Sequence, residues 1–159
     1  MSKLSIIVPV YFNADTLQAL YDDMRERILT TVGDYEIVFV DDGSEDDSWD
    51  LMNRIRETDE NVVCVRLSKN YGEHAAILAG LSVCKGDCAV TKQADLQEDS
   101  ELILTMYERW KAGHKVVLAI RSARDEGAMK KFLANRYYDI VRKVVDSGMP
   151  KGGVRLLPC

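Results

Sequence analysis

Two adjacent carboxylates stand out where the sequence reads Asp41-Asp42-Gly43-Ser44. Glycine permits a sharp turn and serine commonly starts a helix, so a structural turn accounts for Gly43 and Ser44 without any ligand. The mutual repulsion of Asp41 and Asp42 favours a bound cation or hydrogen-bond donors beside them. An imide or amide N–H of a nucleobase is such a donor. The pair therefore predicts a nucleoside pocket, with a plain turn as the alternative.

A second acidic position is Asp95, in a segment that reads Lys-Gln-Ala-Asp-Leu-Gln over residues 92–97. Asp95 and Gln97 offer a carboxylate and an amide oxygen two residues apart. Hard oxygen ligands suit Mg²⁺ or Mn²⁺ that bridges a diphosphate and neutralises the charge of a leaving group. The segment predicts a divalent metal site, and a loop aspartate that only caps a turn or a helix is the alternative.

Basic and amide side chains form two further groups of candidates. Lys69 and Asn70 are candidate contacts for a phosphate or an acceptor, with a plain loop as the alternative, and the nearby His74 could be a base or a helix cap. The second group lies toward the C-terminus and includes Arg121, Arg124, Lys130, Lys131, Arg136, Arg142 and Lys143. It could be a solvated face, or it could meet a membrane surface or a lipid phosphate.

Apolar runs predict the elements that position these residues. Runs rich in β-branched residues predict strands over 4–8, 35–40, 62–67, 88–91 and 114–120. Helical spacing of apolar side chains predicts helices over 17–28, 49–55, 75–81, 102–110 and 132–144. The small residues of the third helix predict close packing on a sheet. Ser44 and Asp47 resemble a capping box at the start of the second helix.

Alternating strands and helices predict an α/β fold with a mainly parallel sheet and helices on both faces. Ligands bind to such sheets beyond the carboxyl ends of the strands, where the strand order reverses. Four candidate segments fall at such ends, namely Val10-Tyr11, Asp41-Asp42, residues 68–70 and Ala94-Asp95. This convergence is the main functional signal.

Composition narrows the classes of partner. The chain has 159 residues and a formal net charge of -5 at pH 7. This charge argues against nucleic acid as a partner. The four cysteines lack Cys-x-x-Cys spacing, and no apolar run is long enough for a membrane span. We therefore expect a cytoplasmic protein.

The order of four motifs makes the sequence recognisable. They are Ile7-Val8-Pro9-Val10-Tyr11, Val40-Asp41-Asp42-Gly43-Ser44, Leu67-Ser68-Lys69-Asn70-Tyr71-Gly72 and Ala94-Asp95-Leu96-Gln97. The combination closely resembles the family 2 glycosyltransferases. Within that family it is most similar to the polyprenyl-phosphate group, which contains dolichyl-phosphate mannosyltransferases and bactoprenol glucosyltransferases. The resemblance extends from about residue 4 to residue 153.

The resemblance implies a single catalytic domain of GT-A fold over residues 1–159. Its reaction would be inverting transfer of a sugar from a nucleotide diphosphate to an acceptor, often a polyprenyl phosphate. The implied nucleotide-sugar contacts are Pro9, Val10, Tyr11, Asn13, Asp41, Asp42, Lys69, Asn70, Gln93 and Ala94. Asp95 would match the metal-binding, catalytic aspartate of the family's Asp-x-Asp signature, and Gln97 its accompanying glutamine, with Mg²⁺ or Mn²⁺ as cofactor.

The chain departs from the family at three places. Gln93 replaces the first aspartate of the signature, so one anionic metal ligand becomes a neutral amide. Asn13 and Ala14 stand where the family usually has an acidic residue. Relatives carry an Asp-Phe pair near the end, whereas this chain reads Val-Arg-Leu-Leu-Pro-Cys over 154–159. Arg155 is the acceptor-site candidate, and we expect the domain to be truncated on its acceptor side.

Two functions follow from these observations. The first is an inverting glycosyltransferase, in a longer form at the cytoplasmic face of a membrane that carries a lipid-phosphate acceptor. The second is a nucleotide-sugar-binding fragment or partner domain without turnover, which Gln93 and the abrupt end favour. Assembly into a homo-oligomer is compatible with either function.

Overall fold

The computed structural model describes residues 2–97 and 99–119. Four strands form one parallel sheet: β1 (Leu4–Val10), β2 (Tyr35–Asp41), β3 (Val62–Arg66) and β4 (Cys88–Thr91). The helices are α1 (Ala14–Met24), α2 (Thr30–Val32), α3 (Ser48–Thr58), α4 (Glu73–Val83) and α5 (Glu101–Lys111), and a π-helical segment (Arg25–Leu29) joins α1 to α2. These elements belong to one compact unit whose described part ends at Val117.

The strand order is β3-β2-β1-β4. The chain moves outward from β1 through β2 to β3, and then returns to the other side of β1 to form β4. The order of the strands therefore reverses beside β1, and open α/β sheets bind ligands at this switch point. The predicted parallel sheet is confirmed.

Helices cover both faces of β1, which is buried along its whole length. Ile6 and Val8 belong to the same core as Leu17 of α1. Ile7 points to the opposite face and packs in a second core with Ala76 of α4. A strand covered on both faces is apolar at every position, which is why this run does not alternate with polar residues.

Helix α4 packs closely on the sheet, as its small residues predicted. Gly80 is buried, and a Cβ at this position would lie 2.5 Å from Cγ2 of Ile7 and 3.2 Å from Cγ2 of Val40. Ala76, one turn earlier, is fully buried. The absence of larger side chains therefore lets the helix backbone approach β1 and β2.

Two local predictions are wrong. Ser44 does not start a capping box, because α3 begins at Ser48 with Asp47 as its N-cap residue. Ser44 Oγ instead accepts a hydrogen bond from the N–H of Phe12 at 3.1 Å. The fifth strand predicted over 114–120 does not form within residues 114–119. A β-branched run still needs a hydrogen-bonded partner strand, and no described strand pairs with it.

Other predictions concern residues that the structure does not describe. The helix predicted over 132–144 and the basic cluster from Arg121 to Lys143 lie outside the described residues. The single domain over 1–159 therefore stays a prediction. Within residues 2–97 and 99–119, no helix is both long and apolar enough to cross a membrane.

Gly43 makes the turn after β2 and offers a test of how closely two loops approach. Its φ is +73°, and an added Cβ would lie 2.6 Å from the carbonyl carbon of Lys69. We expect Gly43→Ala to lower the free energy of unfolding by ~3 kcal/mol, because backbone strain and a backbone clash add. Urea denaturation measures the loss.

Gly33→Ala is the matched control, since Gly33 has φ +78° but nothing lies within 4 Å of an added Cβ. It should cost only ~1 kcal/mol, the strain of a left-handed alanine. Equal losses for the two variants would contradict the role of the contact between Gly43 and Lys69.

Candidate active site

Asp41 is a fully buried acid at the end of β2. Its Oδ1 accepts a hydrogen bond from the N–H of Ser44 at 2.9 Å. Arg66 is its partner in the register of β2 and β3, and Arg66 Nε lies 3.1 Å from Asp41 Oδ2. This contact is an ion pair without hydrogen-bond geometry, so Oδ2 accepts no hydrogen bond from the part of the chain that the structure describes. Asp41 therefore keeps an acceptor available.

Asp42 has a different role, because its carboxylate holds the loop that follows β3. Its Oδ1 accepts the N–H of Tyr71 and its Oδ2 accepts the N–H of Gly72, both at 2.8 Å. Its own N–H donates to the carbonyl of Val10 at 2.8 Å. Backbone amides thus supply the donors that two adjacent carboxylates require, and a contact of Asp42 with a nucleotide stays a prediction.

The loop after β1 is held by side chains that follow β2. Phe12 N–H donates to Ser44 Oγ, Asn13 N–H to Ser48 Oγ and Ala14 N–H to Asp46 Oδ2, at 3.1, 3.0 and 3.3 Å. Burial by itself would raise the pKa of Asp46, but hydrogen bonds from Ser48 and from backbone amides outweigh it and lower that pKa. The ionised carboxylate of Asp46 is therefore the form that accepts the N–H of Ala14, and the three hydrogen bonds tie the two loops together.

Two adjoining clefts open at the carboxyl edge of the sheet. The first is lined by Pro9, Val10, Tyr11, Asn13, Asp42, Asn70, Gly72, Glu73 and Gln93. The second is lined by Tyr11, Gly43, Ser44, Glu45, Arg66, Leu67, Ser68, Lys69 and Asn70. Tyr11 and Asn70 border both clefts. The structure thus brings together most of the residues predicted to contact a nucleotide sugar.

The other two predicted contacts lie behind this surface. Asp41 is buried against Arg66, which lines the second cleft. Ala94 is also buried, and its carbonyl accepts a hydrogen bond from Thr16 Oγ1 at 2.6 Å, which ties the loop after β4 to the start of α1. Arg155, the predicted acceptor residue, lies outside the described residues.

Asp95 and Gln97 lie in an exposed turn and line neither cleft. Asp95 Oδ1 accepts the N–H of Gln97 at 3.1 Å. Nearby, Gln93 Nε2 donates to Glu73 Oε1. The residues that the structure describes contain no group of three or more His, Cys, Asp or Glu that could hold a metal.

This donor set suits one kind of metal site. Mg²⁺ in proteins is often held by one or two carboxylates together with substrate phosphates, and keeps several waters. Asp95, exposed beside the cleft residue Gln93, matches that arrangement. The described residues therefore fit a metal ion that binds together with a diphosphate. They do not fit a metal site in which the protein supplies every ligand.

Arg66 is the functional candidate that the sequence prediction missed. It lines the second cleft and contacts Asp41, yet it stands at the end of a strand and carries no motif. The available signal was a cation at the end of β3 and an acid at the end of β2. Recognising that the two residues are neighbours requires the register between these strands, which the sequence does not specify.

A parallel sheet with its switch point beside β1, and with clefts at its carboxyl edge, defines an α/β domain with a candidate ligand site at the switch point. Residues 5–152 match the model of glycosyl transferase family 2, and the chain belongs to that family. The resemblance stated from the sequence motifs is confirmed.

Curated relatives support the same group. The chain is 38% identical to the undecaprenyl-phosphate 4-deoxy-4-formamido-L-arabinose transferase of Pseudomonas fluorescens, over 81% of this chain and 38% of that protein. It is 34% identical to the bactoprenol glucosyl transferase of Shigella phage SfV, over 89% of this chain and 47% of that protein. The chain thus spans less than half the length of either relative.

A solved structure supports the fold. The mannosyltransferase PcManGT from Pyrobaculum calidifontis, in complex with GDP-Man and Mn²⁺, matches with a TM-score of 0.65 at 22% identity. The match covers 89% of this chain and 39% of that one. The predicted GT-A fold is confirmed.

The role of Asp42 can be tested by replacing one acceptor with a donor. In Asp42→Asn, an NH₂ group would face a backbone N–H of Tyr71 or Gly72. We expect a loss of about 1–3 kcal/mol in the free energy of unfolding, because a partly buried N–H loses its charged acceptor. The amides of Tyr71 and Gly72 should also exchange faster in hydrogen–deuterium exchange.

Asp50→Asn is the matched control, since Asp50 is an exposed acid in the first turn of α3. It removes the same charge without touching the loop, and its cost should stay below ~1 kcal/mol. Unchanged exchange at Tyr71 and Gly72 in the Asp42 variant would contradict the assigned role.

Proposed function

We propose that this chain is the donor-binding domain of an inverting glycosyltransferase that moves a sugar from a nucleotide diphosphate to a polyprenyl phosphate. The observation that carries the proposal is the pair of adjoining clefts at the switch point, which collects residues of four separate loops. The names of the curated relatives support the acceptor class, since they include undecaprenyl-phosphate and bactoprenol transferases.

The linings of the two clefts suggest which part of a nucleotide-sugar donor each cleft would bind. The second cleft contains two cations, Arg66 and Lys69, beside the buried acid Asp41. It suits a nucleoside and the first phosphate. The first cleft contains the polar side chains of Asn13, Asn70 and Gln93 and suits the sugar end. Tyr11, 46% exposed and shared by both clefts, is placed to contact the nucleoside.

Asp95, with Gln97 beside it, would hold the divalent metal. When bound, Mg²⁺ or Mn²⁺ neutralises the charge that develops on the departing nucleotide diphosphate. Gln93 contributes a neutral amide at the position of a second acid, and Glu73 accepts its hydrogen bond. One carboxylate fewer makes binding of the metal depend more strongly on the phosphates of the donor.

A phosphate acceptor removes the need for a general base in the protein. Its oxygen is already ionised at neutral pH, so attack on the anomeric carbon needs no general base. The base role considered for His74 is then unnecessary. Inversion requires the acceptor to approach opposite the leaving diphosphate, and this assigns the acceptor to the open side of the clefts, where a lipid phosphate would come from a membrane surface.

A second candidate function is binding of a nucleotide sugar without turnover. The hydrogen bond between Gln93 and Glu73 favours it, because it places a neutral amide where the family carries a metal-binding acid. A transfer assay with a radiolabelled UDP- or GDP-sugar and polyprenyl phosphate separates the two candidates. Product formation by this chain would reject binding without turnover.

The metal role of Asp95 can be tested by calorimetry. We expect Asp95→Ala to weaken Mn²⁺-dependent binding of UDP or GDP at least tenfold, because the only carboxylate assigned to the metal is lost. Binding without metal should change little. Asp22→Ala, which removes an exposed acid from α1, is the control and should match the unmodified chain. Equal Mn²⁺-dependent affinities in Asp95→Ala and the unmodified chain would contradict the role.

A further inference from the structure

Thr16, in the first turn of α1, joins the loops on the two sides of the switch point. Its Oγ1 lies 2.6 Å from the carbonyl oxygen of Ala94 and 3.2 Å from that of Asn13. A hydroxyl carries one proton, and the shorter distance makes the carbonyl of Ala94 its main acceptor. Asn13 lines the first cleft, whereas Ala94 directly precedes Asp95. Thr16 therefore connects the loop after β1 with the loop that carries the proposed metal ligand.

The two carbonyls depend on this hydroxyl to different extents. The carbonyl of Asn13 also accepts the N–H groups of Thr16 and Leu17, at 3.0 and 3.1 Å. Ala94 is 3% exposed, and a carbonyl in such a buried position needs a donor. Loss of the hydroxyl would leave two donors at the carbonyl of Asn13, but it would remove this donor from the carbonyl of Ala94. The consequence of that loss falls on the loop after β4.

Helix α1 holds the same loop a second time, on the far side of Asp95. Ser100 is 1% exposed, and its Oγ donates a hydrogen bond to Oδ2 of Asp23. The loop is thus attached to α1 before Asp95 through Thr16, and after Asp95 through Asp23. Asp95 is exposed, yet the backbone on both sides of it is fixed.

The turn between these two attachments has a strained conformation. Leu96 has φ +58°, in the left-handed region that a residue with a Cβ rarely adopts. Asp95 Oδ1 accepts the N–H of Gln97 at 3.1 Å across this turn. A strained turn persists only where the surrounding structure holds it. The attachments to α1 therefore decide where the carboxylate of Asp95 lies.

We propose that Thr16 is a positioning residue of the metal site. By holding the carbonyl of Ala94, its hydroxyl sets where the carboxylate of Asp95 meets the metal and the donor diphosphate. It also keeps this carboxylate in register with the first cleft, because Asn13, which lines that cleft, is the N-cap residue of the same helix. Thr16 acts through Asp95 and needs no contact of its own with the metal. The inference rests on the proposed function, in which Asp95 holds the divalent metal.

Calorimetric titration of the full chain with UDP or GDP, with and without Mn²⁺, tests the inference. Thr16→Val keeps the shape of the side chain and removes the hydroxyl. We expect it to lower the Mn²⁺-dependent affinity roughly tenfold, as loss of a group that orients a metal ligand does. The affinity without Mn²⁺ should stay unchanged. Thr16→Ser keeps the hydroxyl and should retain the Mn²⁺-dependent affinity. An equal fall with and without Mn²⁺ in Thr16→Val would indicate a general structural role and overturn the inference.

Thr58→Val is the matched control, because Thr58 Oγ1 also donates to a backbone carbonyl, that of Ile55 at 2.8 Å. It removes a comparable hydrogen bond at the end of α3, and its Mn²⁺-dependent affinity should equal that of the unmodified chain. A fall as large as the one in Thr16→Val would overturn the inference. Circular dichroism identifies any loss of folding. If Thr16→Val does not fold, Thr16→Ala, which also lacks the hydroxyl, carries the same test.

The double variant Thr16→Val/Asp95→Ala tests whether Thr16 acts through Asp95. In the absence of the Asp95 carboxylate, loss of the hydroxyl should lower the Mn²⁺-dependent affinity no further, since the two residues act as one unit. A further fall would overturn the inference. So would an unchanged affinity in Thr16→Val beside a loss in Asp95→Ala, a result that leaves the proposed function intact. An unmodified chain that binds neither UDP nor GDP would instead reject the proposed function, and this inference with it.

Discussion

The N–H groups of Tyr71 and Gly72 both donate hydrogen bonds to the carboxylate of Asp42. The N–H of Asp42 in turn donates to the carbonyl of Val10. These contacts join the ends of β1 and β2 to the loop after β3. A carboxylate can satisfy two amides at once, and a charged acceptor makes each of these hydrogen bonds stronger than a neutral one. The shape of both clefts depends on this junction, because all three segments contribute lining residues.

The neighbouring acid shows why two adjacent carboxylates can be retained in a buried position. Asp42 is neutralised by backbone amides, whereas Asp41 is matched by the amide of Ser44 and the guanidinium of Arg66. Each carboxylate therefore has its own donors, and their repulsion is reduced without a metal ion between them. Asp42 positions the loop after β3, and Asp41 keeps one oxygen that accepts no hydrogen bond from the described residues.

The loop after β4 holds its carboxylate differently. Asp95 lies in an exposed turn, and Gln93 directs its amide toward Glu73. Because only one carboxylate is proposed for the metal, the donor diphosphate would have to supply the other charged ligands. Buried hydrogen bonds of the chain thus hold the loops after β1, β2 and β3, whereas the side chain of Asp95 is exposed.

The sequence by itself determined the α/β class, four of the predicted strands, the position of helices on both faces and the family. These follow from local patterns: β-branched runs, helical spacing, and motifs such as Asp41-Asp42-Gly43-Ser44 whose residues are contiguous. It also placed most cleft residues correctly, because the carboxyl ends of parallel strands meet at one edge.

Only the tertiary structure decided how these residues divide their roles. Ser44 carries the side chain of a capping box, but the N–H of Phe12 takes its hydroxyl, so α3 begins later at Ser48. Arg66 has no motif and becomes a site residue because the register of β3 sets it opposite Asp41. Such assignments depend on contacts between residues far apart in the chain, and local sequence patterns do not encode which of several available partners a polar group will meet.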